Sequence, residues 1–196
     1  MEFSAARPDV VRAINQRWLL KIWHKEKGSH RIPLWRDVIA EELSRVAAQL
    51  SILQVVGFEG AARFLICFHG DLIAQAYGSA DCRGKHLDEF VPAETSGHLA
   101  PYHRALESGQ PVYTIHQLSD REGRPVNYER LLLPYGRDGQ TVDHILVMFE
   151  FVCADGAYVR QSLMKTSGTQ RLLRLSATIA LHHPVDAPDT GRSKGG

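Results

Sequence analysis

Cysteine is scarce in this chain, and what there is shows no pairing pattern. Cys67, Cys82 and Cys153 are an odd number with no C-x-x-C pair, which argues against a disulfide framework or a zinc knuckle and points to a reducing, cytoplasmic setting. Long apolar runs are also missing. No window approaches the about 18 uninterrupted apolar residues of a spanning helix, and the start, MEFSAARPDVVRA, has neither the basic segment nor the apolar stretch of a secretory leader. Charge of one sign is absent too: a net charge of +1 and a pI near 7.8 give no global field to gather nucleic acid or anionic lipid. Neither a nucleic-acid partner nor a membrane span is expected.

What is there is the balance of a folded protein, 44% hydrophobic and 23% charged over 196 residues. That length carries one core with flanking helices and is short for two. From Asp9 to Lys27 the apolar positions Val11, Ile14, Trp18 and Ile22 recur at three- and four-residue steps, which predicts an amphipathic helix started by Pro8 and Asp9. These four residues form its expected interface. KGSHRIPLWR breaks the pattern with Gly28 and Pro33. A second helix is expected over Asp37 to Leu50, capped by Asp37, with Val38, Leu43, Val46, Ala47 and Leu50 on one face.

The period then becomes strand-like. SILQVVGF and ARFLICFHG read as a hairpin, DLIAQAYG as a short helix ended by Gly78, and Glu94 to Gly109 as a longer helix closed by Gly109. PVYTIHQL, YERLLLPY and TVDHILVMFEF follow as strands, the last two joined by GRDGQ. From Tyr158 to Leu181, Leu172, Leu175 and Ile179 suggest a final helix, and the Pro- and Gly-rich stretch from His182 to Gly196 a disordered tail. Two strands, a helical crossover and three strands make an α+β fold: one antiparallel five-stranded sheet with helices on one face. In the last strand Ile145, Val147 and Phe149 point one way and Leu146 and Met148 the other. Both faces need cover. The crossover helices bury one, leaving the other to the N-terminal helix, a second subunit, or both.

The run GDLIAQAYGSADCRGKHLDEF, the helix ending YHRALESGQPV and the hairpin YERLLLPYGRDGQTVDHIL resemble a PAS domain. More narrowly they resemble stand-alone bacterial PAS-like proteins in which a helix and a linker, here RIPLWRD, precede the fold. The resemblance covers Trp18 to Phe151, and departs from its relatives at Asp71, in HGDLI. It implies a five-stranded sheet cupping a small cavity beneath the long helix, used for sensing and for protein contacts. The chain then divides into an N-terminal helix and linker over 1–36, a PAS-like domain over 37–156, a C-terminal helix over 157–181 and a tail over 182–196.

Several candidate sites follow. If the concave face carries Phe64, Ile66 and Phe68, with Leu131 and Leu133 and either the Met148 or the Phe149 set, the cavity is mainly apolar, and Tyr77, Tyr113, Tyr128 and Arg130 orient the polar end of a ligand. Tyr102 and His98 belong to the helix above it. In haem-binding PAS oxygen sensors a histidine on this helix ligates iron, and His98 followed by Arg104 has the matching spacing, which makes haem a possible cofactor. Pro101 lacks an amide donor, so the regular helix would begin there and leave His98 on a loop. The alternative to a ligand pocket is a filled core. Enzyme signals are weak: Ser162 to Lys165, SLMK, has no SDN or KTG companion, and strand alternation sends Asp143 and His144 to opposite faces. The chain is therefore read as a signal-transduction module, not an enzyme, that binds a small ligand or a signalling partner as a homodimer and acts through helix or dimer rearrangement. The alternatives are a haem gas sensor using His98 and a ligand-free adaptor.

Overall fold

The computed structural model describes residues 1–37, 40–57, 61–78, 81–89, 97–154, 156–165 and 171–180. Among them, seven strands form one sheet in the order β1-β7-β4-β5-β6-β2-β3. They are β1 (Ser4–Ala6), β2 (Leu50–Val56), β3 (Arg63–His69), β4 (Val112–Ser119), β5 (Pro125–Tyr135), β6 (His144–Cys153) and β7 (Leu172–Ile179). The pairs are antiparallel except β1 with β7. The five expected strands are all present, and the sheet is wider than five. Its extra strands correct two expectations at once, because Leu172–Ile179 is a strand and not a helix. Leu172, Leu175 and Ile179 fit a helical step, yet Leu173, Leu175, Ala177 and Ile179 alternate equally well. The open edge of β4 settles the choice, since its backbone donors and acceptors need partners.

Four helices accompany the sheet among the described residues: α1 (Ile14–Lys27), α2 (Ala40–Ser44), α3 (Asp71–Tyr77) and α4 (Ala100–Ser108). Helix α1 begins later than expected. Pro8 and Asp9 start only a turn of 3-10 helix, Val11 is extended, and the α-helix opens after Ala13. Its sheet-facing stripe is Gln16, Leu19, Leu20 and Trp23, all buried, at the three- and four-residue spacing of one helix face. Ile14 is 75% exposed, and Trp18 and Ile22 are half-buried. Val11, Ile14, Trp18 and Ile22 are therefore not the face that meets the sheet, although Val11 itself is buried. Two backbone contacts fix the helix: the Trp23 indole donates to the Pro134 carbonyl at 2.8 Å, and the Gln16 amide to that of Met148 at 3.1 Å.

The second helix is short, and Leu50 opens β2 instead of ending it; Val38 and the side chain of Asp37 lie outside the described residues. Helix α4 starts at Ala100 with Pro101 in its first turn and ends at Gly109, whose φ of 64° is left-handed and whose N–H returns to the Ala105 carbonyl. The first residues of the helix expected from Glu94, and the tail from His182, lie outside the described residues. Strand alternation now sorts the core into two layers. On β5, Asn127, Glu129, Leu131, Leu133 and Tyr135 share the α1 face, as the Tyr135 hydroxyl shows by donating to Glu26 at 3.3 Å. Tyr128, Arg130 and Leu132 face α3 and α4.

Candidate functional site

The inner face of the sheet meets α3 and α4 over a cluster of aromatic and polar side chains. Cross-strand register lines up Thr114 with Arg130 and Phe149, and His116 with Tyr128 and Phe151. Arg130 is 1% exposed. Its guanidinium lies 5.6 Å from the Tyr102 ring and 5.3 Å from the Tyr128 ring, within the range of cation–π attraction. Its Nε donates to Thr114 Oγ1 at 3.1 Å. The Tyr77 and Tyr128 hydroxyls are 3.4 Å apart. Burial raises the pKa of Tyr102 and Tyr128 above the usual phenol value, so both remain neutral donors.

Beside this cluster is a cavity of about 20 Å³, room for little more than one water molecule. Ser51, Leu53, Ile66, His69, Tyr77, Cys82, Leu87, Tyr102 and Phe149 line it. Sequence alternation misassigned part of this wall because β3 is bulged. Leu53 pairs with Ile66 but Ile52 with Phe68, so Cys67 is an extra residue and the side-chain alternation shifts after it. Phe68 therefore turns away from Phe64 and Ile66, and His69 turns in, with Nδ1 3.0 Å from Ser51 Oγ. A bulge of this kind leaves no mark in composition or periodicity.

Of the expected site residues, Ile66, Tyr77 and Tyr102 line the cavity, and Phe64 packs on Tyr102 at 5.5 Å between rings. Tyr128 and Arg130 form the adjoining polar wall. Tyr113, Leu133 and Met148, with Leu131, lie on the opposite face beneath α1, where the Tyr113 hydroxyl donates to Glu129 at 2.5 Å. They are corrected to core of the outer layer. Thr114, His116, Ser51 and His69 were missed. For Thr114 and His116 a signal existed, since PVYTIHQL alternates in register with Tyr128 and Arg130.

His98 precedes α4, as Pro101 foretold. Its ring is stacked with that of His116 at 6.3 Å, and Arg171 Nη1 lies 2.6 Å from its Nε2 and 3.2 Å from its Nδ1. Burial, then the charges of Arg171 and Arg130, push the His98 imidazole down to about 3. Burial, then Arg130, His98 and Arg171, push His116 down to about 3 as well. Arg171 was unreadable as a site residue while its segment was taken for a helix. A haem does not fit these residues: His98 is engaged by a guanidinium, Arg104 donates to Thr178 at 3.0 Å, and about 20 Å³ holds no porphyrin.

The residues behind the two enzyme signals have partners of their own. Lys165 donates to the Gly78 carbonyl at 3.3 Å. Asp143 and His144 are in contact, Oδ1 to Nδ1 at 2.5 Å, contrary to the expectation from alternation. Asp143 precedes β6, where the two-residue period does not yet hold. His144 is also stacked flat on Trp35 at 4.4 Å, and Asp143 accepts the Arg137 backbone N–H at 3.3 Å.

Residues 73–152 match the family described as PAS fold. The match begins in α3 and ends in β6, taking in α4, the three central strands and Arg130. The match supports a PAS domain over that stretch, a fold that suggests a sensory or signal-transduction module. No curated protein matches the chain. No helix of the described residues is long and apolar enough to cross a membrane.

Proposed function

We propose that this protein is a cytoplasmic signalling module that acts by binding and not by turnover, coupling the state of the Arg130 cluster to the packing of α1 and to a homodimer contact. The observation that carries the reading is the alternation of β5. Tyr128 and Arg130 face the cluster while Glu129 and Leu131, between and beside them, face the α1 layer. A shift of this strand driven from one face is felt on the other, because both faces are close-packed. A ligand or signalling partner moves such an equilibrium by its difference in affinity for the two arrangements.

The dimer contact is supported by the outward ridge of α1, where Ile14 is exposed and Trp18 and Ile22 are half-buried. Val152 and Leu172, 45% and 49% exposed, stand in one cross-strand row with Asn127 and Gln117. The three free cysteines support the compartment. Sedimentation of the wild type and of Ile14→Glu with Ile22→Glu tests the arrangement. Dimer going to folded monomer is expected. A wild type that is already monomeric at tens of micromolar overturns it.

A second reading, an adaptor that works without a ligand, is favoured by the small cavity. Filling it further with Ile66→Phe would then leave partner binding unchanged. The sensory reading expects partner binding or dimer affinity to change.

A further inference from the structure

The outer face of the sheet carries a patch with more hydrogen-bond acceptors than donors. Glu129 on β5 and Glu150 on β6 are direct cross-strand partners, so their side chains stand together on the α1 face. Glu129 is 2% exposed and Glu150 is half-buried. The donors that reach them are neutral: the Tyr113 hydroxyl to Glu129 at 2.5 Å and the Gln49 amide to Glu150 at 3.2 Å. Among the described residues no cation pairs with either carboxylate. Arg160 donates to the Tyr158 hydroxyl at 3.0 Å and acts on Glu150 only through its charge. Arg12 acts in the same way on Tyr113, and Arg174 donates to Gln117 in the next row. By contrast, the buried Asp120 has its own guanidinium, Arg124 at 2.8 Å. Gln16 of α1 adds a third acceptor to the patch. Its amide nitrogen donates to the Met148 and Glu129 carbonyls at 3.1 and 3.5 Å, while its buried Oε1 has no donor among the described residues.

Two opposed carboxylates in a partly dry site favour a proton on one of them, through both burial and like charge. Burial first, then the charge of Glu129, raise the Glu150 pKa above its ordinary value, against the opposing effects of Asn15, Gln49 and Arg160. The groups around the pair belong to the anchorage of α1. Asn15 and Gln16 are in its first turn, and the Arg12 N–H, just before it, donates to the same Tyr113 hydroxyl at 3.3 Å. We infer that Glu129 and Glu150 form a proton-operated latch for α1. A proton taken up by the pair supplies the donor that the patch lacks and fastens the first turn of the helix. Its loss as pH rises leaves two like charges beneath that turn and loosens it. The sign follows from burial: lifting α1 returns the pair to water, where a carboxyl holds its proton less tightly, so protons favour the docked helix. His24, at the other end of α1, works in the opposite direction, because burial and then Lys27 lower its pKa.

The latch adds an input on the outer face to the α1 output proposed above, and rests on that reading for its regulatory sense. The test follows the Glu129 and Glu150 carboxyl carbons of the full chain by NMR from about pH 8 to about pH 4.5. In the same samples, amide exchange of Arg17 to Leu20 is expressed relative to that of β5, so that global unfolding cancels. One carboxyl of the pair is expected to titrate above the 4.5 of a free glutamate. Relative protection of the α1 amides is expected to fall as pH rises through that titration, by up to about tenfold per pH unit for one proton. Glu150→Gln keeps a donor, carries no charge and leaves His24 in place, and is expected to hold protection at its acid level throughout. Two carboxyls that both titrate at or below 4.5, or a Glu150→Gln chain that keeps the wild-type pH dependence, overturn the latch. If that variant does not fold, the wild-type titration and exchange decide. Sedimentation at the two pH limits separates the claims. A latch that behaves as expected with an unchanged dimer affinity keeps the proton site and overturns its route to the dimer. Failure of the latch leaves the dimer contact to stand or fall on Ile14→Glu with Ile22→Glu.

Discussion

His116 is buried between the rings of His98 and Tyr128, with Arg130 and Arg171 near enough to oppose its protonation. That environment gives the fold a pH dependence of definite sign. Both histidines titrate at about 3 in the folded chain against 6.5 for the free group. Between those values the unfolded chain binds the protons that the folded one refuses, so stability falls as pH drops below about 6.5, by up to about 1.4 kcal/mol per pH unit for each proton withheld. Urea midpoints should decline from pH 7.5 to pH 5, and His116→Gln should flatten the decline; an equal slope in the variant would show that His116 does not carry it. Cysteine gives a second prediction at this scale. Cys67 is exposed while Cys82 and Cys153 are buried, so a thiol reagent should modify one group per native chain and the others only on unfolding. Of the expected polar end, Arg130, Tyr128 and Tyr77 were legible because residue type marked them, whereas the same criterion misplaced Tyr113, which faces the α1 layer. His69 and Arg171 were not legible, because one depended on a bulge and the other on an element misread.

Among the elements, α1 shows how an amphipathic pattern can mark the wrong stripe. Its sequence offers two apolar ridges, Ile14-Trp18-Ile22 and Leu19-Leu20-Trp23, and periodicity does not rank them. The sheet takes the second, where Gln16 and Trp23 each donate to a strand carbonyl, that of Met148 in β6 and that of Pro134 in β5. Trp23→Ala removes the largest buried ring of this helix and should lower stability by about 3–5 kcal/mol. Trp23→Phe keeps most of the packing and loses the bond to Pro134, for a smaller loss of about 1 kcal/mol or more. Chemical denaturation of the two variants checks the ranking. Strand β7 teaches the complementary lesson. Its register with β4 on one side and β1 on the other was set by an edge formed more than fifty residues earlier in the chain, and no local window contains that.

At the scale of the whole molecule, the argument from β6 that both faces of the sheet need cover identified the layers before either cover was known. The β2-β3 and β5-β6 hairpins and the crossover through α3 and α4 were legible for the same reason, while the order of the strands in the sheet was not. The hairpins and the crossover follow from element order and alternation. The width of the sheet did not follow, since it depends on two strands that close around each other from distant parts of the sequence. The pair has a mechanical consequence. Strands β1 and β7 run side by side in the same direction, with Ser4 beside Ala177 and Ala6 beside Ile179. A pull applied at Ser4 and Ile179 acts on opposite ends of that pair, so its hydrogen bonds lie across the line of force. They must slide and break as a set instead of opening one after another. The segment that ordinary stability arguments rank as a short, marginal edge is thus the clamp that tension meets first.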